Sequence, residues 1–367
     1  MSRVLSDAER RAWLRLARTQ NVGPVTFANL IARYPNPVDA LAAAPNLARR
    51  GGGNELRIPS DDDARKELDA LGNLGGRLIA SIEPEFPQGL AALDAPPPLV
   101  SMLGHASVLQ REMVAIVGAR NASALGRKFA QTIATELGDA SLVIASGLAR
   151  GIDTAAHEGS LKSGTCAVVA GGIDIVYPPE NQALYDRIRA EGVIISEMPV
   201  GQAPQARHFP RRNRIIAGLA RGVIIVEAAE GSGSLITANY ALEQNREIFA
   251  VPGSPLDPRA KGTNRLIREG ATLTETAQDV LNILRPILGG SFREPDSVMR
   301  GGDMTASEAD TDRIRKQIIE LLGPAPVDVD ELIRQTKAPV GGVLTALLEL
   351  ELAGRLMRYP GNKVSLA

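Results

Sequence analysis

VAIVGARNASALGRKFAQTIATELGDASLVIASGLARGID, residues 114–153, holds a complete strand–helix–strand unit. An apolar run, VAIVG (114–118), leads into the helical pattern GRKFAQTIATELGDA and then a second apolar run, SLVIAS (141–146). Short runs that are apolar throughout suit strands buried on both faces. The helix between them is long enough to return the chain to a parallel neighbour.

Outward from this unit the alternation continues. Strands are expected at TCAVVA (165–170), VIISE (193–197), GVIIVEA (222–228) and EIFAVPG (247–253), with helical patterns TAAHEGSLKSG, ENQALYDRIRAEG, RNRIIAGLA and SLITANYALEQN among them. This predicts an α/β fold, a Rossmann-like parallel sheet over 114–285 with helices on both faces. Residues 1–80 read as short helices. Ser6-Asp-Ala-Glu9 is a capping-box pattern, and the Gly-Pro turn at Gly23 joins two helices as in a SAM or helix-hairpin-helix module. With one glycine in that turn, docking or packing is expected there rather than phosphate binding. The Pro-rich stretch 81–113 is expected to connect domains rather than to form sheet. Residues 286–311, mixed in Gly, Ser, Asp and Met, are expected to be a linker. Residues 312–367 predict three helices and a hairpin, a winged-helix module. Its third helix, PVGGVLTALLELELAG, carries Glu349 and Glu351 and no basic residue before Arg355, which suits protein contact better than duplex reading.

Hydrophobic residues make up 44% of the 367-residue chain and charged residues 23%, enough to bury a real core. Aromatics are only 3%, so that core is aliphatic. The net charge of −1 says nothing about an anionic partner, and any such case rests on local clustering. One cysteine, Cys166, excludes an internal disulfide framework, and three histidines without ligand spacing leave no case for a metal centre. The first residues do not read as a signal peptide, and no run of about 18 apolar residues occurs. A soluble cytoplasmic protein, with no membrane partner, is expected.

Ligands of such sheets bind beyond the carboxyl ends of the strands. The exit loops there are Val117-Gly118-Ala119-Arg120-Asn121-Ala122-Ser123, Ser146-Gly147-Leu148-Ala149-Arg150-Gly151-Ile152-Asp153, Gly171-Gly172-Ile173-Asp174 and Glu227-Ala228-Ala229-Glu230-Gly231-Ser232-Gly233-Ser234. Glycines admit close backbone approach, and a following helix N-terminus favours an anion. Gly118, Gly171, Gly172, Gly231, Ser232 and Gly233 are therefore expected to line a phosphate pocket, with Arg120 and Arg150 beside it. No G-x-G-x-x-G follows the first strand and no Walker A sequence is present, which counts against NAD or ATP, and no cofactor is expected. Glu227 and Glu230 are the best enzymatic candidates, and a weak set; the chain is read as a non-enzyme.

From Met198 to Val226 the chain has no carboxylate but carries Arg207, Arg211, Arg212, Arg214 and Arg221. Concentrated arginine beside Phe209 suits single-stranded nucleic acid, with guanidiniums on phosphates and a ring under a base.

SGLARGID (146–153), VGAR (117–120), GGIDIVYPPEN (171–181), FPRRNRIIAGLA (209–220), VEAAEGSGSLITANYALEQNREIFAVPG (226–253) and GTNRLIREGA (262–271) resemble, in order, the successive blocks of the DprA/Smf family. The resemblance implies binding of single-stranded DNA, dimerisation through the Rossmann-like domain, RecA loading in DNA processing and natural transformation, and no nuclease or ATPase activity. It also implies a DNA pocket of Arg120, Phe209, Arg211, Arg212, Asn213 and Arg214, with Ser146, Gly147 and Gly151 as its phosphate loop and Arg150 alongside. The alternative is a nucleotide-processing enzyme, since EGSGSLITANYALE echoes the Gly-rich loop of LOG-type phosphoribohydrolases. Against it, Gly231-Ser232-Gly233-Ser234 lacks that family's doubled glycine and threonine, and Glu243 lies too far along.

Overall fold

The computed structural model describes residues 3–53, 55–290, 308–359 and 361–367. Four helices come first: α1 (Asp7–Arg18), α2 (Pro24–Arg33), α3 (Pro37–Arg50) and α4 (Asp61–Asn73). The capping box forms as the sequence suggests, with Ser6 and Glu9 each satisfying the other's backbone N–H.

The strands β1 (Arg77–Ala80), β2 (Leu99–Gly104), β3 (Met113–Gly118), β4 (Val143–Ser146), β5 (Thr165–Val168), β6 (Val193–Ser196), β7 (Gly222–Val226), β8 (Glu247–Ala250) and β9 (Thr272–Leu273) form one sheet in the order β1-β2-β6-β5-β4-β3-β7-β8-β9. From β6 through β9 neighbouring strands are parallel. Helices α5 (Gln88–Ala91), α6 (Ala124–Asp139), α7 (Ile152–Ser160), α8 (Gln182–Glu191), α9 (His208–Leu219), α10 (Gly233–Glu243), α11 (Lys261–Arg268) and α12 (Ala277–Leu284) lie between or after them. Alternate residues of each strand serve opposite faces. Met113, Ala115 and Val117 pack with Ile215 and Ile216 of α9 and Leu235 and Ala238 of α10. Val114 and Ile116 pack with Ile133, Leu137 and Ile152 of α6 and α7 and with Leu281 of α12. Each of the Val, Leu, Ile and Met side chains among these contributes on the order of 1.5–3 kcal/mol when fully buried, so the near absence of aromatics does not weaken the sheet.

The stretch 81–113 departs from its expected role as a connector. LVSMLG within it forms β2, paired antiparallel to β1 on one side and β6 on the other. Its prolines, Pro84, Pro87 and Pro96–Pro98, all precede the paired run, so none removes a ladder donor. An apolar six-residue run outweighed the proline count around it.

A second unit comprises Val4–Lys66, Asp94–Pro98 and the described residues of Glu294–Ala367. It contains α13 (Glu308–Leu321), β10 (Val327–Asp328), α14 (Val329–Thr336), α15 (Val340–Leu352), β11 (Leu356–Tyr359) and β12 (Lys363–Leu366), a winged-helix arrangement. Most of the expected linker 286–311 lies outside the described residues. The third winged-helix helix, α15, is buried from Gly341 through Leu352. It packs on α3 and α13, and Glu349 is paired with Arg315 while Thr345 accepts a hydrogen bond from Arg33. A helix enclosed in this way has no open face to lay in a DNA groove.

Candidate functional site

Chain order reverses between β3 and β7, and open α/β sheets place ligands in the crevice at such a point. Here that crevice holds an internal carboxylate. Glu227, at the end of β7 with φ +54°, accepts the Ser123 N–H at 2.8 Å and the Ser123 hydroxyl at the start of α6. Gly126 makes room, because a β-carbon there would stand 2.6 Å from the Glu227 carboxyl carbon. The carboxylate therefore takes the helix-terminus position that a nucleotide phosphate would otherwise occupy. Glu227, one of the two catalytic candidates in the sequence, holds Ser123, the N-cap residue of α6. A cavity of about 460 Å³ lies alongside, with Leu125, Phe129, Val251 and Pro252 among its lining and Lys128 as its basic residue.

A second pocket, of about 110 Å³, opens one strand further, beyond β4 and β5. It is lined by Arg120, Gly147, Ala149, Arg150, Val169, Ala170, Gly171, Ile175, Tyr177, Pro178, Phe209 and Arg212. Four separate segments thus bring three arginines and two aromatics to one mouth. Phe209 and Arg212 stand three apart in the first turns of α9, so both point to the same side.

Arg212 is the floor. Its side chain is 7% exposed, and its ion-pair contact among the described residues, Nη1 to Asp153 Oδ2, is a long 3.7 Å. Its Nε has no hydrogen-bond partner among the described residues. Burial lowers the guanidinium's pKa and raises that of Asp153, each group restrained by the other's charge. Arginine nevertheless stays charged in proteins, so a buried cation with an incomplete set of acceptors faces the pocket.

The loop after β4 is shaped around this floor. Gly147 leaves the space that Arg212 Nη1 fills. Gly151 has φ +79° with the Ala119 carbonyl pressed against it, and Leu148 has φ +57°. A left-handed non-glycine residue costs on the order of 1 kcal/mol. Leu148 is fully buried, and its carbonyl accepts from Asn181 Nδ2 at 2.9 Å, which holds the turn. Two amides of this loop are turned inward. Ala149 N–H donates to Asp153 Oδ2 at 3.2 Å, and Gly147 N–H also lowers the Asp153 pKa by hydrogen bonding. Both helix N-termini at this rim, α6 and α7, thus carry internal carboxylates. The anion-binding groups left over are side-chain guanidiniums, where backbone amides were expected to share the task.

The aromatic ring is engaged as well. The Arg120 guanidinium carbon stands 5.1 Å from the Phe209 centroid and that of Arg212 5.9 Å. Tyr177 meets Phe209 in a T-shaped contact, with centroids 5.7 Å apart. Arg150 at the rim is paired with Glu180, both well exposed.

Other expected site residues are placed elsewhere. Ser146 is buried and donates its hydroxyl to the Ile116 carbonyl at 2.6 Å, inside the sheet. Gly118 is packed against the Val226 carbonyl, and Gly172 against the Pro199 carbonyl. Ser232 caps α10 through Ser234 N–H, and Gly231 and Gly233 are exposed outside the pocket lining. Asn213 donates to the Gly233 carbonyl at 3.2 Å. Arg211 is exposed and also outside the lining. Arg214 pairs with Glu197 at 3.1 Å and Arg221 with Glu112 at 2.8 Å. The carboxylate-free stretch was therefore misleading for these two arginines, because their partners come from outside it. Tyr177, Glu180 and Asn181 were not singled out in the sequence, although all three lie within its quoted blocks, and Asp153 was named there only as the end of an exit loop.

Behind the floor, His157 is fully buried. Thr165 Oγ1 donates to the Ile144 carbonyl, so the 2.7 Å contact places the proton on His157 Nδ1. Burial, with the Arg212 charge adding to it, pushes this histidine down to about 3. Cys166 is buried in β5 and its thiol is pushed up to about 12 by desolvation, an inert core residue.

The chain matches the family model of DNA recombination-mediator protein A over residues 77–285. A DprA-like N-terminal HHH domain model matches 7–70, and a DprA winged helix domain model matches 302–362. Protein Smf of Synechocystis sp. is 32% identical over 98% of this chain and 99% of its own length. The X-ray structure of DNA processing protein A from Streptococcus pneumoniae is similar at TM-score 0.61 and 33% identity, covering 77% of this chain and 98% of that one. DNA processing protein A from Helicobacter pylori, whose structure addresses its single-stranded DNA binding mode, is similar at TM-score 0.53 and 29% identity, over 58% of this chain and 97% of that one.

Proposed function

This chain belongs to the family of DNA recombination-mediator protein A, and from that premise we propose that it binds single-stranded DNA in the pocket floored by Arg212. One observation carries the reading: a guanidinium 7% exposed, with a long ion pair and an unpartnered Nε, lines an open pocket beside two further arginines. Burying a cation is costly unless its donors are met. Arg212 lines the pocket, so a phosphodiester oxygen there meets a charge that Asp153 at 3.7 Å meets only at long range, and Arg120 and Arg150 at the mouth meet the neighbouring phosphates.

The pocket is narrow, at about 110 Å³. It suits a flexible strand that feeds in one phosphate at a time, and a stiff duplex fits it poorly. Fluorescence titration with oligo-dT and with duplex of equal length, over a range of salt, tests this. Tight, salt-sensitive binding of the single strand is expected, with much weaker binding of duplex. Equal affinity for both, or no salt dependence, removes the reading.

The further steps suggested by the family resemblance are part of the same proposal. The protein acts as a homodimer in the cytoplasm, protects incoming strands in natural transformation, and loads RecA onto them. No helix among the described residues is long and apolar enough to cross a membrane. No reaction is assigned to the chain. The crevice where a nucleotide phosphate would dock carries the Glu227 carboxylate, which counts against the nucleotide-hydrolase alternative.

A further inference from the structure

We propose that Tyr177 is the surface on which a DNA base stacks, and that Phe209 is a positioning residue that holds the arginines. This deepens the single-stranded DNA reading above and rests on it. Stacking needs an open π-face, and Phe209 has little to offer. Two guanidiniums lie over its ring, Tyr177 stands against it, and the residue is half-buried. A base stacking on a face that a guanidinium covers has to displace it, trading a cation–π contact and a phosphate ligand for one stacking contact.

Tyr177 has the opposite character. It is 47% exposed, in a chain with eleven Phe and Tyr residues, and it lines the pocket wall with Pro178. The T-shaped contact with Phe209, interplanar angle 63°, braces the ring while nearly half of its surface stays in solvent. A ring braced at the mouth of a pocket that arginines also line binds a base at low cost in side-chain entropy, and it tolerates any sequence because every base has a π-face. The arrangement divides the work. Arg120, Arg150 and Arg212 take phosphates, Tyr177 takes a base, and Phe209 aligns the cations between them.

The division is testable because charge and stacking leave different traces. Oligo-dT carrying one 2-aminopurine is titrated against wild type, Tyr177→Ala, Tyr177→Leu, Tyr177→Phe and Phe209→Leu at several salt concentrations. Tyr177→Ala and Tyr177→Leu are expected to weaken binding roughly tenfold. The slope of affinity against salt stays unchanged in both, and the probe stays bright. Tyr177→Phe keeps the ring and restores both affinity and quenching. Phe209→Leu, by releasing Arg120, lowers the salt slope. Comparing Leu with Phe keeps the test valid should the alanine variant fold poorly. Wild-type affinity and quenching in Tyr177→Leu overturn this proposal alone, as does a loss that Tyr177→Phe fails to restore. Wild type without salt-sensitive binding overturns the functional reading, and this one with it.

Discussion

Gly147 and Arg212 share one volume. A β-carbon on Gly147 would stand 1.2 Å from Arg212 Nη1 and 2.8 Å from Asp153 Oδ2. The glycine of the β4 exit loop thus serves a side chain, where its sequence context pointed to a ligand approaching the backbone. Gly147→Ala should fold, since the clash falls on the end of a long side chain, at a cost of about 1–3 kcal/mol from the forced displacement. Its single-stranded DNA affinity should fall by about tenfold or more, measured by anisotropy alongside a denaturant melt.

Arg214 and Arg120 should separate stability from binding. Arg214 is 18% exposed and Glu197 10%, so Arg214→Ala leaves a nearly buried carboxylate behind and should cost about 3 kcal/mol of stability. Arg120→Ala touches an exposed residue and should change stability by less than about 0.5 kcal/mol. The same urea melts that rank the two should invert in a DNA titration performed below the melting range.

At the rim, Glu180 competes with phosphate for Arg150. Exposed ion pairs of this kind are weak and screened by salt, so Glu180→Gln should tighten DNA binding by about two- to fourfold at low salt. The gain should fade as salt rises. Isothermal titration at two ionic strengths checks both statements.

His157 gives a pH signature. Its pKa in the fold is about 3 against 6.5 for the free side chain, so below pH 6.5 the unfolded chain gains a proton that the folded one refuses. The stability associated with the neutral ring is complete above 6.5 and declines as pH falls toward 3, by up to about 1.4 kcal/mol per pH unit. His157→Gln should be less stable than wild type at pH 7.5 and should narrow that gap at pH 5. Urea unfolding at the two pH values decides it.

Much of the sheet was legible because buried parallel strands are nearly pure apolar runs, and VAIVG and GVIIV admit one reading. β2 was hidden by Pro96–Pro98 directly before it, and β9, at two residues, is too short for any pattern to show. The pocket was half legible. Arg120, Arg150, Phe209 and Arg212 stood out as cations and an aromatic near strand ends. Whether an arginine is free depends on what lies across the fold, and Glu197, Glu112 and Asp153 come from other elements or loops. Window-by-window charge counts cannot register such partners. The same holds for the glycine loops, where Asp153 and Glu227 occupy the anion positions that composition had suggested for a ligand.

The most direct test of the pocket's role is the salt slope of oligo-dT affinity in wild type and Arg120→Ala. A phosphate contact on a single strand contributes about 0.7 to that slope. The account predicts a slope smaller by about that amount in Arg120→Ala, with weaker binding and an unchanged fold. Identical slopes and affinities in the two proteins would contradict it.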